Sequence, residues 1–200
     1  SPVNADLRAG VARCDITIDS ADPGMTSPGI TDRLYSKALV IDDGSTRLVL
    51  ITMDVTAIGA RSISDGMLPD VADNFLPLLR ARIQRELNIP CEHVTVNASH
   101  THPPGRMLCS DEAQIERTLN AVRQAAANLS PVRIAAGAVN EARITMNRTL
   151  RLKNGKHWTI RHANPCPPSD EVDSVGPHDP QIGLLRIDRL DGRPLAVVYN

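Results

Sequence analysis

Apolar positions along the chain fall into short runs, some alternating with period two and some spaced as on a helix. Val11-Ala12-Arg13-Cys14-Asp15-Ile16-Thr17-Ile18 alternates weakly and predicts a strand. The stretch Asp19 to Thr31 that follows is rich in Pro, Gly, Ser and Asp and predicts a long loop. Leu34 to Ile41 and Leu48 to Met53 are apolar runs joined by Asp42-Asp43-Gly44-Ser45, and Asp-Gly between two such runs predicts an antiparallel hairpin. From Ser64 to Asn88 the apolar residues Val71, Phe75, Leu78, Leu79, Ile83 and Leu87 recur at helical spacing. Pro77 either kinks one long helix or sits in the first turn of a second, shorter one. Val94-Thr95-Val96-Asn97-Ala98 is the next strand. A helix between the Leu48 and Val94 runs predicts a right-handed βαβ crossover with the two strands parallel.

Ser110 is placed to cap a helix whose first turn carries Asp111 and Glu112 and whose buried stripe is Ile115, Leu119, Val122 and Ala126, ending near Leu129. Val132 to Val139 predicts another strand, with Ile144-Thr145-Met146-Asn147-Arg148 as its continuation or partner. Lys153-Asn154-Gly155-Lys156 is a hairpin turn signal. His162 to Pro180 has no periodicity and predicts a long loop, the kind that serves as a lid or binding loop. Ile182 to Ile187 and Leu195 to Tyr199 are strands across a turn at Asp191-Gly192. No internal repeat and no linker divides the pattern, so the expectation is one α/β domain over residues 1–200, a mixed β-sheet with a βαβ crossover and covering helices.

Composition narrows the partners more than the fold. A formal net charge of -1 gives no electrostatic footprint for nucleic acid or an anionic membrane surface. No apolar run approaches the roughly 20 residues that span a bilayer, so no transmembrane segment is expected. Tyr35, Phe75, Trp158 and Tyr199 are the whole aromatic complement, which predicts an aliphatic core and no stacking platform for bases or sugars. Cys14, Cys91, Cys109 and Cys166 are widely spaced with no Cys-x-x-Cys, so neither a zinc ribbon nor a redox dithiol is present. They are not expected to be all paired, with Cys14 and Cys91 buried. Ser1-Pro2-Val3-Asn4 is compatible with a removed signal peptide or with a trimmed terminus.

The candidate chemistry lies at the end of the Val94 run, in Ser99-His100-Thr101-His102-Pro103-Pro104-Gly105. In an extended chain Val94, Val96, Ala98 and His100 share one face, and His102 joins them if extension persists. Pro103 and Pro104 end sheet pairing and leave both imidazoles at the carboxyl edge of parallel strands, where open α/β sheets place their ligands. Imidazole is the commonest zinc ligand, but two histidines do not complete a zinc site, and the alternative is a polar turn capping a backbone carbonyl. Asp54, at the end of the Leu48 run, either serves a site or caps the next helix, and capping is the expectation. His93, His157, His162 and His178 have no partner at ligand spacing.

Several segments taken together, Gly10-Val11-Ala12-Arg13-Cys14-Asp15-Ile16-Thr17, Arg33 to Val40, Thr52-Met53-Asp54, Ser99-His100-Thr101-His102, Met146-Asn147-Arg148 and Asp179-Pro180-Gln181-Ile182-Gly183, resemble the N-terminal part of the neutral/alkaline ceramidase family. Members of that family are zinc amidohydrolases that cleave the N-acyl bond of ceramide, with the metal held by two His, a Glu and a Tyr. The resemblance implies that His100 is the first metal ligand and that His102 lies beside it, orienting a water or relaying a proton. It further implies that Asn147 and Arg148 stand near the site, Arg148 stabilising the developing oxyanion, and that the remaining ligands and a catalytic Ser follow Asn200. The chain would then be the N-terminal portion of a larger catalytic domain, inactive alone, with a small-molecule or lipid substrate and a secreted or periplasmic location.

Two segments depart from the family pattern. Pro103-Pro104-Gly105 stands where the family has Ser-Gly-Pro, and Pro23-Gly24-Met25-Thr26 stands where it has Met-Gly-Tyr-Ala. Three function classes therefore follow: a zinc amidase acting on an N-acylated lipid such as ceramide, a zinc hydrolase of the same fold acting on a more polar amide, ester or sugar derivative, and a non-catalytic binding domain. The altered turn favours the second over the first, and retention of both histidines with Asn147-Arg148 speaks against the third.

Overall fold

The computed structural model describes residues 7–18, 30–58, 71–102, 107–159 and 167–200. Strand β1 (Arg8–Asp15) pairs antiparallel with β2 (Tyr35–Asp42), and β2 pairs antiparallel with β3 (Arg47–Met53). The β2–β3 hairpin turns where Asp-Gly predicts. Gly44 takes φ 89°, a conformation a side chain resists, while the Asp42 carboxylate accepts from the Gly44 N–H at 2.7 Å and the Asp43 carboxylate from the Thr46 N–H at 2.7 Å.

Helix α1 (Phe75–Leu87) is shorter than the Ser64 to Asn88 pattern; residues 59–70 lie outside the described residues. Pro77 falls in its first turn, where no intrahelical donor is needed: the Leu78 N–H makes the bond to Asn74 O at 3.0 Å. Asn88 ends the helix in the left-handed conformation, φ 54°, with its N–H on Gln84 O. Strand β4 (Val94–Ala98) then pairs parallel with β3, Val49 opposite Val94 and Met53 opposite Ala98, so the expected strand, helix, parallel strand unit is present. Arg80 of α1 fixes the start of β4 by donating to Val94 O from Nε and Nη2, at 3.1 and 2.8 Å.

Helix α2 (Asp111–Ala127) is capped by Ser110, whose Oγ accepts from the Ala113 N–H at 3.4 Å, and it buries Ile115, Leu119, Val122 and Ala125. Small residues on β1 let it come close: a Cβ on Gly10 would lie 2.0 Å from Ala125 O. Ile16, Val40, Ile51, Met53, Phe75, Leu79, Ile83 and Leu119 close a core around these contacts that is aliphatic apart from Phe75. Each such side chain contributes about 1.5–3 kcal/mol relative to exposure.

The remaining strands are β5 (Ser130–Asn140), β6 (Thr149–Leu152), β7 (His157–Thr159), β8 (Val172–Val175), β9 (Gln181–Arg189) and β10 (Pro194–Tyr199). A mixed seven-stranded sheet has the order β10-β9-β5-β1-β2-β3-β4, and a three-stranded sheet the order β7-β6-β8. The chain clusters into two compact units: Ser1–Arg133 with Ile187–Ala196, and Ile134–Arg186 with Val197–Asn200. The fold class is the expected mixed α/β one, and the turns at Asn154-Gly155 and Asp191-Gly192 fall where the sequence placed them.

Four expectations need correction. Ile144 to Arg148 is a turn and irregular chain instead of a strand, because Asn147 turns the backbone: its Oδ1 accepts from the Thr149 N–H at 2.8 Å. The stretch His162 to Pro180 contains β8, antiparallel to β6; its pairing is made by backbone groups and has no alternation to announce it. Its residues 162–166, with Cys166, lie outside the described residues, as do 19–29 of the first expected loop. Cys14 and Cys91 are free and half-exposed, whereas Cys109 is buried. Burial pushes the Cys14 thiol up despite a hydrogen bond from Asn120 and the nearby Arg117 charge. Asp54 caps no helix among the described residues; its carboxylate accepts from the Tyr35 N–H at 3.0 Å and from Lys37 Nζ at 3.1 Å, tying the end of β3 to the start of β2. Among the described residues no helix is long and apolar enough to cross a membrane.

Candidate active site

Strands β3 and β4 run side by side, and the chain leaves both at the same edge. The two exits stay fastened to each other beyond the last ladder pair. Ser99 N–H donates to Met53 O at 2.9 Å, His100 N–H to Val55 O at 3.1 Å, and Thr56 Oγ1 to Thr101 O at 3.0 Å. Val55 is fully buried, so the segment that receives these bonds is anchored in the core. The returning chain is fastened too. Ile18 N–H donates to Met107 O at 2.8 Å and Cys109 N–H to Ile16 O at 2.9 Å, while Arg117 of α2 donates to Asp15 O and Thr17 O. The histidine loop is thus tied down at both ends; its residues 103–106, including Pro103, Pro104 and Gly105, lie outside the described residues.

Extension does not persist through His100. Its φ is 62°, in the left-handed region that a β-carbon disfavours, and this turns the chain so that the rings of His100 and His102 meet edge to face with centroids 4.7 Å apart. His100 Nδ1 lies 2.6 Å from Thr56 O. A carbonyl only accepts, so this contact puts the proton of neutral His100 on Nδ1 and leaves Nε2 as a lone pair. That lone pair faces His102, whose Nε2 is 3.3 Å away. Both rings are exposed, so the pair is open to a ligand from solvent.

The pair suits a metal in kind and falls short in number. A nitrogen that keeps its lone pair while its partner nitrogen is fixed on a carbonyl is how protein sites orient an imidazole ligand. A catalytic zinc takes about three protein ligands, and among the described residues no group of three or more His, Cys, Asp or Glu comes together. His93, His157 and His178 join neither ring, and His162 lies outside the described residues.

Asn147 and Arg148 belong to the second compact unit. The Asn147 side chain is committed locally: besides accepting from Thr149, its Nδ2 donates to Pro177 O at 2.7 Å. A Cβ on Gly176 would lie 3.0 Å from Asn147 Cγ, so the glycine is what lets the two segments close together. Arg148, next in the chain, is exposed. Arg143, Ile144, Thr145 and Met146, with Val175 and His178, line a depression of about 450 Å³ in the same unit. The backbone acceptors Val55 O and Thr56 O, which shape the histidine pair, have no side-chain signature, and sequence reasoning missed them.

The fold is mixed α/β, and its histidine pair stands where two parallel strands end, the edge at which open α/β sheets commonly bind ligands. No family model and no characterised protein sequence matches the chain. Among solved structures it is similar to a ceramidase complexed with C2, with a TM-score of 0.64 and 18% identity over 98% of this chain. It is similar also to the neutral ceramidase from Pseudomonas aeruginosa, with a TM-score of 0.62 and 20% identity over 98% of this chain. The chain spans 31% of the length of each, and it shares the fold of that portion of a neutral ceramidase.

Proposed function

We propose that this chain is the histidine-bearing portion of a zinc-dependent hydrolase of the neutral ceramidase type, acting on an N-acyl amide bond. The observation that carries the reading is His100 held at φ 62° with Nδ1 on Thr56 O. A strained backbone retained around an oriented lone pair is the mark of a residue kept for its chemistry. The likeness of fold to two ceramidase structures supports the same reading.

In this reading His100 Nε2 is a zinc ligand, and the other ligands lie elsewhere in the full-length enzyme. When bound, the ion supplies Lewis acidity toward the amide carbonyl and makes water a stronger nucleophile near neutral pH. His102, the nearest titratable neighbour of that nitrogen, holds or moves the proton that hydrolysis must transfer. Arg148 carries an exposed guanidinium, a group able to stabilise an oxyanion, and Asn147 fixes the loop that carries it. The replacement of Ser-Gly-Pro by Pro103-Pro104-Gly105 favours a substrate more polar than ceramide within the same chemistry.

The test is zinc content and amidase activity of the full-length protein and its His100→Ala variant, assayed on ceramide and on polar N-acyl compounds. The variant is expected to lose zinc and activity together. Full zinc occupancy in His100→Ala overturns the ligand assignment. Activity on ceramide equal to that on polar substrates overturns the substrate preference.

A further inference from the structure

We propose that Thr56 is the positioning residue of the histidine pair: its carbonyl sets the ring of His100 and its hydroxyl sets the peptide that carries His102. The proposal rests on the reading of His100 and His102 as the reactive pair, but it concerns a residue outside that pair. The carbonyl acts on His100. Nδ1 of His100 lies 2.6 Å from Thr56 O, and the bond forces a tautomer that a solvated histidine does not prefer. The hydroxyl acts on Thr101. Thr56 Oγ1 donates to Thr101 O at 3.0 Å and holds the peptide plane between Thr101 and His102. With Nε2 of neutral His100 a lone pair, Nε2 of neutral His102 is the donor across the 3.3 Å that separates them.

Thr56 itself has little freedom. It follows fully buried Val55, whose carbonyl takes the His100 N–H, and Asp54, whose carboxylate is bound by Tyr35 and Lys37. One residue therefore transmits the rigidity of β2 and β3 to both rings, through two different oxygen atoms.

The closing experiment records the imidazole nitrogen resonances of this chain at a pH where both rings are neutral, for the wild type, Thr56→Val and Thr56→Ser. The wild type is expected to show His100 protonated on Nδ1 and His102 on Nε2, with the His102 proton protected from solvent exchange. Thr56→Val keeps the carbonyl and loses the hydroxyl, so His100 keeps its tautomer while exchange at His102 quickens about fivefold, the factor for one ordinary hydrogen bond. Thr56→Ser restores the protection. A wild-type His100 protonated on Nε2, or a Thr56→Val spectrum identical to wild type, overturns the proposal. A full-length protein that binds no zinc and cleaves no amide, while the resonances behave as expected, overturns the hydrolase reading and upholds the role of Thr56.

Discussion

The two compact units are both built on β-sheet, mixed in the first and antiparallel in the three-stranded sheet of the second, yet they differ in what covers the strands. In the first, α1 and α2 supply Phe75, Leu79, Ile83, Leu119 and Val122 to one face of the sheet, and these side chains are fully or almost fully buried. In the second, no α-helix lies among the described residues; Leu150 and Leu152 are its buried apolar side chains, while Ile144 and Met146 are 81% and 71% exposed. The difference teaches where stiffness comes from. A strand end can hold a histidine in a disfavoured conformation when the strand is packed from one side, and the β3 and β4 exits meet that condition. A loop such as Asn147-Arg148 has to be held by its own side-chain hydrogen bonds.

The largest effect expected from this contrast is in the cores. Leu119→Ala should cost about 3–5 kcal/mol in urea unfolding, because the cavity it leaves is walled by sheet and helix on all sides. Leu150→Ala, in the uncovered sheet, should cost about 2 kcal/mol or less, since its surroundings can collapse or hydrate. Equal costs would erase the contrast.

Asp42 sharpens it at intermediate size. Its side chain is 3% exposed and is held between Arg47, at 2.7 Å, and Arg8, at 3.2 Å. Burial pushes its carboxyl up, but the hydrogen bonds from Arg47 and the Gly44 N–H and the charges of Arg8 and Arg47 outweigh burial and hold it below the usual carboxylate range. A depressed value stabilises the fold above the unfolded-state pKa of about 4 and ceases to do so as the pH falls through the folded-state value. Asp42→Asn should therefore lose about 1–2 kcal/mol at pH 7, and its deficit against wild type should shrink as the pH drops below about 4. A deficit that grows on acidification would contradict the assignment.

The smallest effect belongs to the ion network on the outer surface of α1 and α2. Arg82 meets Glu116 at 2.7 Å and Glu86 at 3.2 Å, and Arg123 bridges the same two carboxylates. Both Glu86 and Glu116 are held below the usual range, first by hydrogen bonding to Arg123. These groups are solvated, so Arg82→Ala should shift the unfolding midpoint little, and the shift should vanish in high salt. A loss comparable to Leu119→Ala would mean that this network, and not the core, keeps the helices in place.

Legibility in the sequence followed the size of the local signal. The Asp43-Gly44 turn, the Ser110 cap and the Val94–Ala98 run were readable because each depends on residues adjacent in sequence. β8 was not, because its pairing with β6 is made by backbone atoms. The histidine pair was visible as composition, and its geometry was not. Extension through His100 was the natural expectation from strand alternation, and it fails because Val55 O and Thr56 O, contributed by another strand's exit, turn the residue over. Asp54 was misread for the same reason, since its partners Tyr35 and Lys37 lie on a neighbouring strand.

The left-handed backbone at position 100 sets folding and chemistry against each other in evolutionary terms. Glycine or asparagine suits φ 62° better than histidine does, so drift under selection for folding alone would carry this position toward those residues. A lineage that keeps an imidazole there forgoes an available gain in stability in every generation. Position 100 thus serves as a gauge: in any descendant with no use for the imidazole, it is among the first places where the residue should change while the fold grows more stable.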